Sequence, residues 1–176
     1  MSFSARHKGL MSRVARGAVL GCEAIAITAI LGLFLVVAVN IFMRALFDAT
    51  GSEINLMIPG AVELASYALL IAVFAALPAG LENGLIRVDV LTGLMPDALQ
   101  SFLNRFWFVV LFLFALSLAW LFADQVMVTR EQGEVTQDWG IPLWIIYLVI
   151  TLECIAFAIV SLAEVIDPVI SAAELG

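Results

Sequence analysis

Four long apolar runs, separated by shorter polar stretches, dominate the chain. They cover about residues 18–45, 58–81, 102–123 and 141–163. Because roughly 20 apolar residues cross the hydrocarbon core of a bilayer, each run is long enough to span it. Backbone amides in lipid must pair within their own segment, so such runs are expected to be helices. The pattern predicts an all-α membrane protein with four transmembrane helices. The first run is too long for the apolar part of a signal peptide, roughly 7–15 residues, so we expect it to stay uncleaved.

A different pattern occupies about residues 85–101, between the second and third spans. Polar or small residues recur there among large apolar ones, namely Arg87, Asp89, Thr92 and Gly93. The stretch is too short to span a membrane and is amphipathic enough to lie on its surface. We therefore predict a short amphipathic surface helix between the second and third transmembrane helices.

Basic residues gather at the amino-terminal end. Four of the eight Lys and Arg residues precede the first run: Arg6, Lys8, Arg13 and Arg16. Arg87 and Arg105 lie beside the second connection, whereas the outer loops contain only Arg130. Loops rich in basic residues stay on the cytoplasmic side. We expect both termini in the cytoplasm, with a basic tail over residues 1–16, a membrane domain over 17–163 and an acidic tail over 164–176.

The composition agrees with a membrane protein. Hydrophobic residues make up 64% of the chain and charged residues only 13%, with a mean hydropathy of +1.11. Soluble domains are about one quarter charged. The net charge of −7 argues against a nucleic-acid partner, since phosphate contacts need clustered basic residues. Phospholipid is the expected surrounding.

Residues for enzyme chemistry are scarce. Cys22 and Cys154 lie in apolar runs without metal-ligand spacing, and the single histidine, His7, lies in the tail. Haem anchors need axial histidines on their helices, and the motifs of hydrolases and nucleotide-binding enzymes are missing from the sequence. We predict no catalytic residue, no cofactor and no metal site, and we expect Cys22 and Cys154 to be small buried hydrophobes.

Apart from Arg105 near the start of the third span, four charged residues fall within the spans: Glu23, Arg44, Glu63 and Glu153. Charge in a membrane segment is costly and needs a partner or water. Arg44 ends the first span and Glu63 begins the second, so we predict an intramembrane ion pair between them. In the alternative, Arg44 extends to the headgroups and Glu63 reaches water. Glu23 is expected near the cytoplasmic boundary, in contact with water.

Glu153 is the deepest charge, about halfway along the fourth span. It could hydrogen-bond across a subunit interface, or it could bind an ion or relay a proton, and we favour the interface. Gly17 and Gly21 form a GxxxG pattern that permits close helix approach, and we place them at a subunit interface too.

Aromatic and basic residues near the span ends suit the headgroup region. The predicted interfacial anchors are Trp107, Trp120, Trp139, Trp144, Tyr147, Arg87 and Arg105. The aromatic rings could equally pack against neighbouring helices.

Four short motifs resemble one family in their order and spacing. They are Asn-Ile-Phe-Met-Arg at residues 40–44, Glu-Leu-Ala-Ser-Tyr at 63–67, Gly-Leu-Ile-Arg-Val-Asp at 84–89, and Ile-Pro-Leu-Trp at 141–144 with Tyr147. Over residues 17–162 the chain resembles the DctQ-type small permease subunit of tripartite ATP-independent periplasmic (TRAP) transporters. The family often has a histidine where this chain has Leu85, and a tryptophan before the glutamate of the second helix, where this chain has none.

The resemblance implies a place and a role. Such subunits lie in the bacterial inner membrane with a large membrane subunit and a periplasmic substrate-binding protein. The large subunit moves organic acids or similar solutes in an elevator fashion, driven by an ion gradient, sodium in particular, and the small subunit serves as a scaffold. The alternative is a self-sufficient four-helix transporter, a homo-oligomer built around Glu153 or Glu23. A redox or assembly anchor is disfavoured because the helices carry no histidine.

Overall fold

The computed structural model describes residues 2–51, 58–82 and 97–166. These residues contain four helices: α1 (Ser2–Ala49), α2 (Ala61–Glu82), α3 (Asp97–Gln132) and α4 (Leu143–Ile166). Each contains a segment long and apolar enough to cross a membrane. The described part of the chain contains no β-strand, only one isolated bridge between Val135 and Pro142. The prediction of four helices able to span a membrane is therefore confirmed, and the described residues form an all-helical architecture.

The predicted surface helix falls mostly outside the described residues. Residues 85–96, Arg87 among them, are not described, and residues 97–101 form the start of α3. Most of the acidic tail, residues 167–176, also lies outside the described part. The amphipathic helix and the cytoplasmic location of both termini stay predictions.

Two helices are longer than the apolar runs on which they were predicted. The basic segment at the amino terminus is helical, because α1 starts at Ser2 and continues for 48 residues. At the other extreme, α3 runs past residue 123 through the polar stretch up to Gln132. Gly133 then adopts a positive φ of 66°, and the Glu134 amide donates to the Thr129 carbonyl at 3.1 Å. This hydrogen bond closes the helix, and a glycine is needed there because side chains disfavour positive φ.

The helices run antiparallel in chain order, and α4 holds the central position. It packs against α1, α2 and α3, while α1 also packs against α2. One side of the bundle contains the last residues of α1 and α3 and the first residues of α2 and α4, and we call it the loop end. We call the opposite side the termini end. At the termini end, Ala15 and Val19 of α1 form a cluster with Val160 and Ala163 of α4. A second cluster, nearer the loop end, joins α2, α3 and α4 around Ile150.

The buried face of α1 is short and consists of small residues. Among residues 11–49, whose side chains the structure describes, the buried ones are Ala15, Val19, Cys22 and Ala26. Their spacing of four, three and four places them on one face of the helix. Small side chains let two helices approach closely, which is how helices associate in lipid. None of residues 27–49 is buried, so α1 packs tightly against its own chain only along its first half.

Candidate functional site

Glu63 ties the start of α2 to the connection between α3 and α4. Its Oε1 accepts a hydrogen bond from the Gln137 amide at 2.9 Å, and its Oε2 accepts one from the Asp138 amide at 3.1 Å. The indole Nε1 of Trp139 donates to the Pro59 carbonyl at 2.9 Å. We call these five residues the loop clasp. Hydrogen bonds to a carboxylate are stronger than those between neutral groups, so Glu63 is its main contact.

The α3–α4 connection is folded so that it presents these amides. The Thr136 amide donates to the Ile141 carbonyl, and the Ile141 amide donates to Thr136 Oγ1, both at 2.9 Å. Gly140, with a φ of 63°, donates from its amide to the Thr136 carbonyl at 3.1 Å. Thr136 is buried and organises the turn. The amides of Gln137 and Asp138 are therefore held in place for the Glu63 carboxylate.

Gly60 allows the loop clasp to close. Its φ is +65°, and a Cβ built on it would lie 2.5 Å from Asp138 Cβ and 2.6 Å from Asp138 Oδ2. A side chain at this position would therefore strain the backbone and also collide with Asp138. An open cavity of about 470 Å³ adjoins the clasp, lined by Gly60, Glu63, Gln137, Asp138 and, from α1, Asn40.

The structure gives Glu63 partners other than the predicted one. Within the described residues no ion pair shorter than 4.0 Å joins Arg44 to Glu63, and both carboxylate oxygens contact loop amides. Arg44 is exposed on α1, and its extension to the headgroups stays a prediction. Sequence alone does not predict these partners, because Gln137 and Asp138 lie 74 and 75 positions from Glu63.

Glu153 lies inside the bundle. Its side chain is 1% exposed, and neither carboxylate oxygen has a hydrogen-bond partner in the described part of the chain. The thiols of Cys22 on α1 and Cys154 on α4 are within electrostatic reach of it. Both cysteines are free and buried, as predicted. A hydrogen bond from Glu153 to another subunit would require its own helices to separate, so its interface role stays a prediction.

The hydroxyl groups of the membrane helices are mostly bonded within their own helix. Each donates to the carbonyl four residues earlier, at 2.7–2.9 Å: Thr28 to Ala24, Ser66 to Val62, Ser117 to Leu113, Thr151 to Tyr147 and Ser161 to Phe157. Such bonds satisfy the donor without reaching a neighbouring helix. These hydroxyls therefore do not build a polar lining between the helices.

The predicted anchors divide into two groups. Three rings at the loop end have partners within the chain: Trp139 in the loop clasp, Trp144 with the Arg130 guanidinium 5.9 Å from its ring centroid, and Tyr147 stacked on Phe122 at 6.2 Å. Trp107, Trp120 and Arg105 are exposed on α3. The contacts of Trp139, Trp144 and Tyr147 agree with the alternative interpretation, in which the rings pack within the chain. A headgroup position for Trp107, Trp120 and Arg105 stays a prediction.

Gly17 and Gly21 lie on an open face of α1. A Cβ added to either would meet nothing within 4 Å. The described chain therefore does not use this GxxxG pattern for its own packing, and contact with another subunit stays a prediction. Among the described residues, no group of three or more His, Cys, Asp or Glu side chains could hold a metal ion.

The sequence of the chain matches the model of one protein family. The model of the family described as "Tripartite ATP-independent periplasmic transporters, DctQ component" matches residues 33–170. No curated protein and no solved structure matches. The match covers more than half of the chain and agrees with four helices able to span a membrane. The family comprises transporter components and is not an enzyme family. The chain therefore belongs to the DctQ family, as a small multi-pass membrane subunit of a TRAP transporter that works with a large membrane subunit and a periplasmic binding protein.

Proposed function

We propose that this chain is the scaffold subunit of a TRAP transporter that takes up organic acids or similar solutes on a sodium gradient. In this role the chain binds no solute. It enlarges the fixed membrane frame against which the large subunit moves in an elevator fashion. We place it in the bacterial inner membrane with both termini in the cytoplasm, and with the predicted anchors and surface segment in contact with phospholipid.

One observation carries the scaffold role: five serine and threonine hydroxyls within the membrane helices are bonded to the backbone of their own helix. A solute path needs several polar groups converging on one cavity. Thr151 and Ser161, the buried hydroxyls nearest Glu153 on α4, donate to Tyr147 and Phe157 of the same helix. Glu153 alone therefore does not make a path.

The outer surface supports the same proposal. Large apolar side chains are exposed along α1 and α3, with Phe34, Phe42 and Trp120 among the most exposed. Such surfaces suit lipid or another membrane protein and not water. A subunit whose apolar surface faces outward, and whose interior is closed, suits a supporting role.

The self-sufficient homo-oligomer is the competing function. It requires a carboxylate that copies of the chain can share. Glu23 is exposed and could be shared, whereas Glu153 is enclosed by the helices of a single copy. The burial of Glu153 therefore disfavours an oligomer built around that residue.

Reconstitution in liposomes tests the scaffold role. We expect this chain alone to move no organic acid under a sodium gradient, and the chain with its large subunit and binding protein to do so. Glu153→Gln in the full complex should keep at least half of the uptake rate. Uptake by this chain alone would contradict the scaffold role, and uptake driven equally well without sodium would contradict the coupling ion.

A further inference from the structure

Glu153 is enclosed near the middle of the membrane part of α4. It follows Leu143 by ten residues and precedes Ile166 by thirteen. At about 1.5 Å per residue it lies about 15 Å from one helix end and about 20 Å from the other. Its side chain is 1% exposed and faces the region where Cys22 of α1 is also buried. The carboxyl group is thus remote from water at both ends of the helix.

No group in the described residues compensates a charge at this position. Neither Glu153 oxygen has a hydrogen-bond partner. The titratable groups within reach are the thiols of Cys22 on α1 and Cys154 on α4, which are acids themselves. An ionised carboxylate without a cation or a donor is among the most costly groups to bury.

Charged side chains on the other three helices are bonded to other groups or exposed. Glu63 of α2 is bonded in the loop clasp. Arg105 and Asp124 of α3 are exposed near the ends of its apolar stretch. On α1, Glu23 and Arg44 are exposed as well. None of these residues is therefore positioned to stabilise a carboxylate at Glu153.

We propose that Glu153 is a proton-binding site, held as a neutral carboxylic acid where α4 packs against the small-residue face of α1. A glutamate in water is ionised at neutral pH. The packed bundle therefore holds a proton that the separated helices release. Because the packed state binds the extra proton, the packing of α1 on α4 weakens as the pH rises above about 4.3, the ordinary pKa of a glutamate, and goes on weakening until Glu153 itself ionises. This site does not depend on the scaffold role, since the full chain alone is enough to test it.

Infrared spectroscopy of the full chain in lipid nanodiscs tests the protonation directly. A neutral acid has a carbonyl stretch well above the carboxylate bands, and this stretch shifts in deuterated water. We expect Glu153→Gln at neutral pH to remove one such stretch. The matched control is Glu23→Gln, which changes an exposed carboxyl on α1 and should remove carboxylate intensity instead. Loss of carboxylate bands in Glu153→Gln would overturn the proposal.

Thermal unfolding in detergent gives a second measurement. The melting temperature of the wild-type chain should fall as the pH rises from mildly acidic to mildly alkaline values, and Glu153→Gln should flatten that dependence, because glutamine cannot ionise. An equal slope in both chains would overturn the proposal. If Glu153→Gln does not fold, the wild-type and Glu164→Gln spectra decide, since Glu164 is the other buried carboxyl of α4. A neutral-acid stretch present in both at neutral pH supports the site, and its absence from either overturns it.

Sodium is the competing occupant, and salt exchange separates the two. Replacing choline chloride with sodium chloride should leave the neutral-acid stretch unchanged if a proton occupies the site. If sodium abolishes the stretch in the wild-type chain, the carboxyl binds a metal cation and the proton site is overturned.

Discussion

Helices α1 and α4 have nearly the same apolarity but opposite positions in the bundle. The mean hydropathy of their most apolar windows is 2.7 and 2.5, yet 6% of the α1 window is buried against 50% of the α4 window. The buried residues of α1 are small, whereas α4 buries Glu153, Ser161 and several larger side chains. Lipid is as apolar as leucine, so apolarity does not decide which helix becomes central. Residue size and the placement of polar groups distinguish the two helices.

The largest effect on stability is expected when the buried isoleucine of α4 is truncated, compared with an exposed isoleucine of α1. Ile150 of α4 is fully buried, and Ile30 of α1 is 51% exposed. Ile150→Ala should lower the free energy of unfolding by about 3 kcal/mol, because it leaves a cavity that neighbouring helices cannot fill. Ile30→Ala should change it by less than about 0.5 kcal/mol. Reversible unfolding of the isolated chain in mixed micelles measures both.

The two isoleucine variants test whether α4 is the core helix. Equal losses in both would mean that α1 is packed as tightly as α4. Secondary-structure content by circular dichroism serves as the control that each variant is helical before unfolding.

A smaller effect is expected from two glycines that both have positive φ. Gly51 follows α1 with a φ of +63° and open space around it, whereas Gly60 has a φ of +65° and closely contacts Asp138 near the start of α4. Gly51→Ala should cost about 1 kcal/mol from backbone strain alone. Gly60→Ala should cost about 2 kcal/mol, because strain and collision add. Thermal unfolding of the two variants gives the difference.

A second substitution that removes the collision at residue 60 tests this comparison further. Adding Asp138→Gly to Gly60→Ala removes the side chain that the new methyl group meets, so part of the loss should be recovered. Asp138→Gly should bring no recovery to Gly51→Ala. Equal losses for the two glycine variants would show that the loop clasp tolerates a side chain at residue 60.

The sequence could predict the helices but not their arrangement. The four spans follow from run length, and burial of Cys22 and Cys154 follows from their apolar surroundings. The apolar pattern predicts that the third span ends near residue 123, whereas α3 continues through polar residues 124–132 and ends at Gly133. The loop clasp cannot be predicted from the sequence for another reason. Glu63 contacts backbone amides, and an amide carries no sequence signal.

The smallest expected effect compares Glu63 with Arg44, its predicted partner on α1. Glu63→Gln should cost about 1 kcal/mol, because an amide group can accept from only one of the two loop amides and carries no charge. Arg44→Gln should cost less than about 0.5 kcal/mol, since Arg44 is exposed and has no ion pair with Glu63 in the described residues.

A double-mutant cycle of these two residues decides whether α1 is held at the loop end. If Glu63 acts only through Gln137 and Asp138, the two losses add and the coupling energy is near zero. A coupling energy above about 0.5 kcal/mol would show that Arg44 and Glu63 form an ion pair after all. The exposed half of α1 would then be bound to the bundle through this pair. In that case α1 would contact the rest of the bundle at the loop end as well as along its first half. The size of the buried side chains would then be the remaining difference between α1 and α4.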